Sequence, residues 1–562
     1  MEKEIKKELV HAFYCKNNEG YRDDMLAVKE IIHNQDGTTS RNFYTIKNYK
    51  RPFWVTKPNY QDHLEKKEYE VVEKLNKFES TQVDLPSNIF KQLNGFYPRS
   101  VPRMAVVNRS PYVYGTDVTT PVLLAHDYEV AYPGVNSKKL AAVMDFEWDV
   151  VVGHGLILSG VLTLPGKLHI AVVRNFIGPV ITEQHIIDNL HTYIYPLLEE
   201  GEIKELRISI VQKHSEVIKE LFRSAHEWGP DYLGFWSIKA DVTAMLKTLK
   251  HDNVDPSFIF SDPSIPQEYK FFSWREDPPF KVTASGKRTP KHYADLWHVA
   301  TTPAKFQLIC FMALYRYVRV RHQQRSDYTL DSVLIDNGIT GKLHFDNLDP
   351  SIASLKKLAW HRRMQSNHPL EYISYMAWDG LGLQKLEQKN NDAGTMLSSI
   401  RGLSEFNKIK STPTRLTDDM HFTNLKDGRV IASCSDTMSI EIDKELPSIK
   451  GWIVTLPSEL QIETGCRLIK EHPQLETTIS VHCHDADATS AYPTNEEILG
   501  ASKTTTIFET CGIEGLTPEA TRAVGINLTN VRGNCLQLAR SLFKFPKLSV
   551  LLDEFKQERH LL

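Results

Sequence analysis

The sequence predicts a mixed α/β (α+β) protein: a mixed sheet flanked by helices, preceded by a β-rich region. Three observations carry that expectation. Between Leu140 and Val173 the chain runs "LAAVMDFEWDVVVGHGLILSGVLTL" and then "KLHIAVV", β-branched and apolar segments broken by glycines, which read as successive strands. "SEVIKELFRSAHEW" follows, with Val217, Ile218, Leu221, Phe222 and Ala225 at the spacing of one helical face. Strands followed by helices through about residue 385 are the order expected of a sheet covered by helices. Before all this, residues up to about 135 mix short strand-like segments with turn signals such as "RPFWVTKPNY" and "YPRSVPRM".

A chain of 562 residues is too long for one core. Its division is expected at four regions: a β-rich domain over 1–135, the α/β domain over 136–390, a connecting segment over 391–450 that packs with the first domain, and a last region over 451–562. The polar stretch from Gln388 to Asp419, with "KNNDAG" and "KSTPTRLTDD", marks the boundary at the end of the α/β domain. Hydrophobic content of 41% and charged content of 24% suit a globular protein. The start "MEKEIKKELV" has no apolar signal segment, and runs such as "FQLICFMAL" are too short to cross a membrane. An intracellular, cytoplasmic protein with no membrane partner is therefore expected. The seven cysteines contain no CxxC pair, which argues against a disulfide framework or a zinc ribbon. With a net charge of −3, any nucleic-acid surface must be local.

The chemistry concentrates in acids placed among apolar residues. In "VMDFEWDV", Asp145 and Glu147 alternate with Phe146 and Trp148, so both acids share one face of a strand. Buried there, they need positive partners, and two metal ions about 3.5–4 Å apart are one natural solution. "WGPDYLGFWSIKADVTAMLKTL" reads as a strand or turn ending at Gly234 and a helix opened by Asp241, with Val242, Met245, Leu246 and Leu249 on its apolar face. "HPLEYISYMAWDGLGLQKLEQ" is a helix on which Tyr372, Tyr375, Met376, Asp379 and Leu383 share one face. Asp145, Glu147, Asp241 and Asp379 together form a carboxylate set suited to phosphodiester hydrolysis. Two segments interleave cations with aromatic rings, as a groove for single strands would: "YRYVRVRHQQR", with Tyr315, Arg316, Tyr317, Arg319, Arg321 and Arg325, and "KKLAWHRR".

In order and spacing, these pieces resemble the exonuclease motifs of family-B DNA polymerases. "MDFEWD" looks like the first motif, DxE; "GFWSIKAD" is similar to the second; "YMAWD" fits the third, YxxxD. "QRSDYTLDSVLIDNGITGKLHFD" is similar to the segment before the third motif in the replicative enzymes of tailed phages. The resemblance spans about residues 40 to 500. It implies an RNase H-like 3′–5′ exonuclease domain over 136–390, with two Mg²⁺ or Mn²⁺ ions per site on Asp145, Glu147, Asp241 and Asp379. Tyr375 would orient the attacking water. The second motif departs from the family, which has Asn where Trp236 stands and an aromatic where Ala240 stands.

"TTISVHCHDADATSAYPT" resembles family-B motif A, DxxSLYPS, the start of a polymerase palm. The resemblance makes Asp487 a ligand of the two catalytic metals, with Ser490 and Tyr492 contacting the incoming nucleotide and Tyr492 excluding a 2′-hydroxyl. The YxDTDS hairpin and Kx3NSxYG helix that complete such a site do not follow Asp487. The implied protein is the N-terminal subunit of a split family-B polymerase, with 451–562 as an incomplete palm and fingers. Its expected partners are primer-template DNA and single-stranded 3′ ends, a dNTP, a C-terminal polymerase subunit and a replication clamp, in a host cytoplasm if the chain is phage-encoded. A stand-alone 3′–5′ exonuclease and a silent DNA-binding scaffold are the alternatives.

Overall fold

The computed structural model describes residues 6–434, apart from 64–65, 283–287, 321–324, 326, 349–351, 353, 356, 398–405 and 411. The chain divides into two units, Met1–Ile440 and Glu441–Leu562, and all described residues belong to the first. Asp487, Ser490 and Tyr492 lie outside the described residues, as does Arg321.

β1 (Lys6–Lys16), β2 (Asp24–His33) and β3 (Thr39–Lys47) form an antiparallel sheet in that order. Next come β4 (Arg51–Thr56), β5 (Tyr69–Val71), β6 (Leu75–Ser80), α1 (Leu85–Asn94), α2 (Met104–Val107), β7 (Val113–Tyr114) and α3 (Thr120–Ala131). A second antiparallel sheet has the order β6-β4-β7. Its β4 is cored by Phe53 and Val55, whose alternation with a second buried pair shows strand period two. Leu124 and Ala125 of α3 close one face of β1 and β2 against Leu9, Ala12, Leu26 and Val28.

The central layer is a mixed sheet of six strands. β8 (Ala141–Trp148), β9 (Ile157–Leu164) and β10 (Lys167–Val173) run as an antiparallel meander. α4 (Arg174–Ile177) and α5 (Glu183–Tyr193) return the chain to β11 (Glu205–Val211), parallel to β10. α6 (His214–Trp228) crosses to β12 (Tyr232–Phe235), parallel to β8. α7 (Ile238–His251) and α8 (Pro256–Phe260) follow, then four short strands, β13 (Ser273–Arg275), β14 (Phe280–Val282), β15 (Arg288–Pro290) and β16 (Val299–Thr301). β17 (Gln307–Cys310) completes the sheet as β11-β10-β9-β8-β12-β17. The mixed α/β class expected from sequence is what the chain adopts.

The helices bury what their spacing dictates. All five apolar residues singled out on α6 are buried against the sheet. Gly160 in β9 lets α6 approach: a Cβ there would lie 2.6 Å from Phe146 and 2.7 Å from Leu221. Beyond the sheet lie α9 (Phe311–Arg319), α10 (Leu330–Asp336), α11 (Leu358–Asn367), α12 (Pro369–Asn390), α13 (Thr412–Lys426) and β18 (Arg429–Ile431). α12 is buried along nearly its whole circumference, from Tyr372 to Glu387, and not on one stripe alone. The sheet lies on one side, while α5, α10 and α11 cover the others. β18 pairs with β5, so the chain past α12 returns to the N-terminal strands. Among the described residues, no helix is long and apolar enough to cross a membrane.

One buried carboxylate joins the N-terminal sheet to the central one. Asp231, fully buried before β12, accepts two hydrogen bonds of 3.0 Å from Arg41 Nε and one of 2.9 Å from Arg41 Nη2. It also accepts the amide of Leu140 at 2.7 Å and sits 3.9 Å from Lys29 Nζ. Removing it strands Lys29 in the interior and leaves that amide unpaired, and breaking such a pair costs about 3–5 kcal/mol. Asp231→Ala is expected to lower stability by about that amount in urea titration, whereas Asp36→Ala on an exposed turn should change it by less than about 0.5 kcal/mol.

Candidate active site

β8 delivers two acids to one face because strand residues alternate. Asp145 and Glu147 are half-buried toward α12, while Phe146 between them is buried toward α6. α12 brings Asp379, 3% exposed, from the facing helix. One carboxylate oxygen from each of Asp145, Glu147 and Asp379 lies within 4.8 Å of the others. Gly380 permits this approach, since a Cβ there would lie 2.8 Å from Val161, the β9 partner of Asp145. Asp241, buried in the first turn of α7, falls outside that trio, yet its chief charged neighbours are Asp145 and Glu147. The structure thus brings three of the sequence-selected carboxylates together and sets the fourth beside them.

Electrostatically the cluster is under load. Burial, and then the charge of Asp379, pushes the Asp145 carboxyl up to about 7. Burial and Asp145 push Glu147 up to about 8. Asp241 is raised well above the usual range by burial and by Asp145 and Glu147. Asp379 is raised by burial, against the pull of Lys342. Its Oδ1 is a buried acceptor with no hydrogen-bond partner.

Lys342 and Tyr372 complete the arrangement and were not singled out from sequence. The Lys342 ammonium is ion-paired with Asp379 Oδ2 and donates to the Tyr375 hydroxyl at 2.8 Å. It lies 37 residues from Asp379, so no local periodicity links them. Tyr372 donates a short hydrogen bond to Glu147 Oε2. Its hydroxyl is also bonded by His361 Nδ1 at 2.8 Å and by Gln365 Nε2 at 3.2 Å. Gln365 also donates to the carbonyl of Trp148 at 2.9 Å and accepts from the amide of Val150 at 3.1 Å. α11 therefore clamps the end of β8 that carries Glu147. Its helical spacing assigns Tyr372 to an apolar face, and its phenolic tip is the feature that marks it for a buried polar partner.

The residues expected to contact DNA have other neighbours. Tyr315 is 4% exposed, and its ring lies 3.9 Å from the Arg319 guanidinium. Arg319 makes a two-pronged ion pair with Asp392 at 2.7 and 3.1 Å. Arg316 lies 5.5 Å over the ring of Tyr328, Tyr317 packs edge-on to Trp297, and Arg325 is ion-paired with Asp336. In the second motif, Trp236 is a core residue: its indole donates to the Tyr328 carbonyl at 3.2 Å.

No protein-family model matches the chain, and no curated protein matches it.

The raised carboxyls set a pH dependence. Unfolded, Asp145 and Glu147 would ionise near pH 4; folded, they do so at about 7 and about 8. The metal-free folded state thus binds more protons, and the cluster's contribution to stability is lost as pH rises from about 4 through these folded values. Calorimetry of the metal-free chain should show it less stable at pH 8 than at pH 5. Mg²⁺ or Mn²⁺ should raise Tm more at pH 8, and Asp145→Asn with Glu147→Gln should shrink both effects, leaving what Asp241 and Asp379 contribute. An equal metal shift at the two pH values would contradict the cluster's assignment.

Proposed function

We propose that residues 136–390 are a metal-dependent 3′–5′ exonuclease of RNase H-like architecture acting on single-stranded DNA ends. The observation that carries this is the convergence of Asp145, Glu147 and Asp379 at one half-open point, with Asp241 alongside. The donor set fits hard divalent cations: oxygen ligands only, an unpartnered buried Asp379 Oδ1, and more carboxylates than Lys342 can neutralise. Asp145, Glu147, Asp241 and Asp379 would hold Mg²⁺ or Mn²⁺. When bound, these ions supply positive charge to the oxygens of the phosphodiester.

The chain's own residues have distinct tasks in that scheme. Tyr372 fixes the rotamer of Glu147, and Lys342 fixes Asp379. Tyr375 stays a neutral phenol, because burial and the charge of Asp379 raise it well above its ordinary value. Its oxygen accepts from Lys342 and its hydroxyl also hydrogen-bonds Asp379, a position from which, in this scheme, the phenol would orient the attacking water. In hydrolysis that water oxygen bonds to phosphorus, the bond to the 3′ oxygen breaks, and a nucleoside 5′-monophosphate leaves. Glu147 keeps 14% of its side chain exposed, so the acids are reached from solvent. Trp236 and Ala240 stand where the family pattern has the Asn and the aromatic, while the Asp241 carboxyl still lies beside the cluster.

The full chain with Mg²⁺ should shorten a 3′-labelled single strand to mononucleotides. Asp145→Ala with Glu147→Ala should lower the rate by at least about a thousandfold, on the scale of losing a metal's several kcal/mol. A wild-type chain without nuclease activity would favour the silent scaffold.

The wider reading, an N-terminal subunit of a split family-B polymerase, rests on the resemblance around Asp487, Ser490 and Tyr492. It predicts primer extension only when the chain is mixed with one carrying the missing palm acids, and loss of extension in Asp487→Ala. Extension unaffected by that substitution would remove motif A from the reading.

A further inference from the structure

The central sheet ends differently at its two edges. β17, at one end, is four residues long and entirely buried. β11, at the other, runs seven residues, "ELRISIV", and every one of them is half-buried. Among the described residues, no strand pairs with its outer side. Proteins blunt such edges with proline, bulges, short strands or outward charge. β11 has no proline, and its register with β10 is unbroken from Glu205 to Val211. Its one cation, Arg207, turns its charge onto Glu227 through two hydrogen bonds of 2.7 Å.

The ladder fixes which peptide groups face outward. The amide of Glu205 donates to the Gly166 carbonyl at 3.0 Å, so Glu205, Arg207, Ser209 and Val211 turn their amides and carbonyls toward β10. Those of Leu206, Ile208 and Ile210 turn away from the sheet. The side chains of these three pack against the cluster that holds Ile186 and Leu190 of α5, and they stay partly uncovered there. The edge therefore presents three outward peptide units beside an apolar strip.

We propose that β11 docks a second copy of this chain, antiparallel and about a twofold axis at Ile208, so that one sheet runs through both copies. The edge is complementary to itself in that register. Ile208 faces Ile208 and Leu206 faces Ile210, which pairs all three outward peptide units of each copy and joins their apolar strips. Glu205 of one copy lies diagonal to Lys213 of the other on the same face, and the symmetry makes this contact twice. Lys213 is exposed and keeps an extended backbone past the end of β11, with φ −107° and ψ 150°. No like charges stand directly opposite. An axis at Arg207 would instead set two guanidinium groups against each other. An axis at Ser209 would leave Leu206 facing Gln212, whose amide is already held by Glu216 at 2.9 Å. A contact of this symmetry closes at two copies and goes no further. β8 lies three strands in from the edge, so the acids take no part in it.

Sedimentation of the full chain at about 1, 10 and 100 µM tests the pairing, since association follows concentration. The mass should rise toward twice that of the monomer. Lys213→Glu and Glu205→Lys each put like charges on both diagonals and should each raise the dimer Kd about tenfold or more. Mixed together, the two variants regain opposite signs at both contacts and should pair with each other at near wild-type affinity. Ile208→Pro removes an amide that faces away from the sheet, a change edge strands tolerate, and should abolish the dimer with the circular dichroism unchanged. A chain still monomeric at about 100 µM overturns the proposal, including the case in which it binds a strand of a different protein there. A dimer unmoved by these substitutions, or a mixture no tighter than its components, overturns it as well.

Discussion

Several carboxyl groups gathered in one partly desolvated place repel each other, and the centre of this protein is built around tolerating that repulsion. A single ammonium, Lys342, sits inside the group and pairs with Asp379. It cannot neutralise Asp145, Glu147 and Asp241 as well, and all three carboxyls are pushed up by burial and by neighbouring carboxylates, Asp145 by Asp379, Glu147 by Asp145, and Asp241 by Asp145 and Glu147. The surrounding packing must therefore be rigid enough to hold these groups close. Left to relax, like charges would separate.

That rigidity comes from small residues at points of contact. Gly380 brings α12 down onto Val161, and Gly160 brings α6 onto the opposite face of the same strand. Thr163 and Gln384 hydrogen-bond across the α12–sheet contact at 3.3 Å. β9 is thus gripped from both sides at Gly160 and Val161, the residues that pair with Phe146 and Asp145 of β8. α11 adds the clamp on the end of β8 through Gln365. The acids are positioned by elements far apart in sequence, a demanding form of preorganisation.

The parts legible in the sequence were those governed by local period. Alternation in "VMDFEWDV" placed Asp145 and Glu147 on one face, and 3.6-residue spacing outlined α6 and α12. β12 runs one residue past the expected end at Gly234, to Phe235, a small error typical of strand ends. Lys342 was not legible: it lies in a segment without regular structure and becomes meaningful only when the fold places it against Asp379. α9 shows the converse difficulty. Its arginines and tyrosines have the composition of a nucleic-acid surface, but composition does not say which side of a helix is covered. Arg319 finds Asp392, and Tyr315 enters the core.

Asp231 binds Arg41 from the N-terminal sheet and the amide of Leu140, where β8 begins, and it directly precedes β12. The two strands leading to Asp145, Glu147 and Asp241 therefore start from an anchor whose countercharge is borrowed from residues before 135. Glu8 of β1 adds to this by pairing with Lys139, and Lys29 donates to the carbonyl of Gly229 at 2.9 Å. The boundary near residue 135 is consequently a poor place to cut. A fragment beginning there would keep every acid of the centre while losing the cation that keeps Asp231 silent. Its failure would say nothing about the chemistry of the site. In modular terms, the N-terminal sheet is a structural organ of the acid-bearing layer, and the two would have to be inherited, exchanged or engineered together.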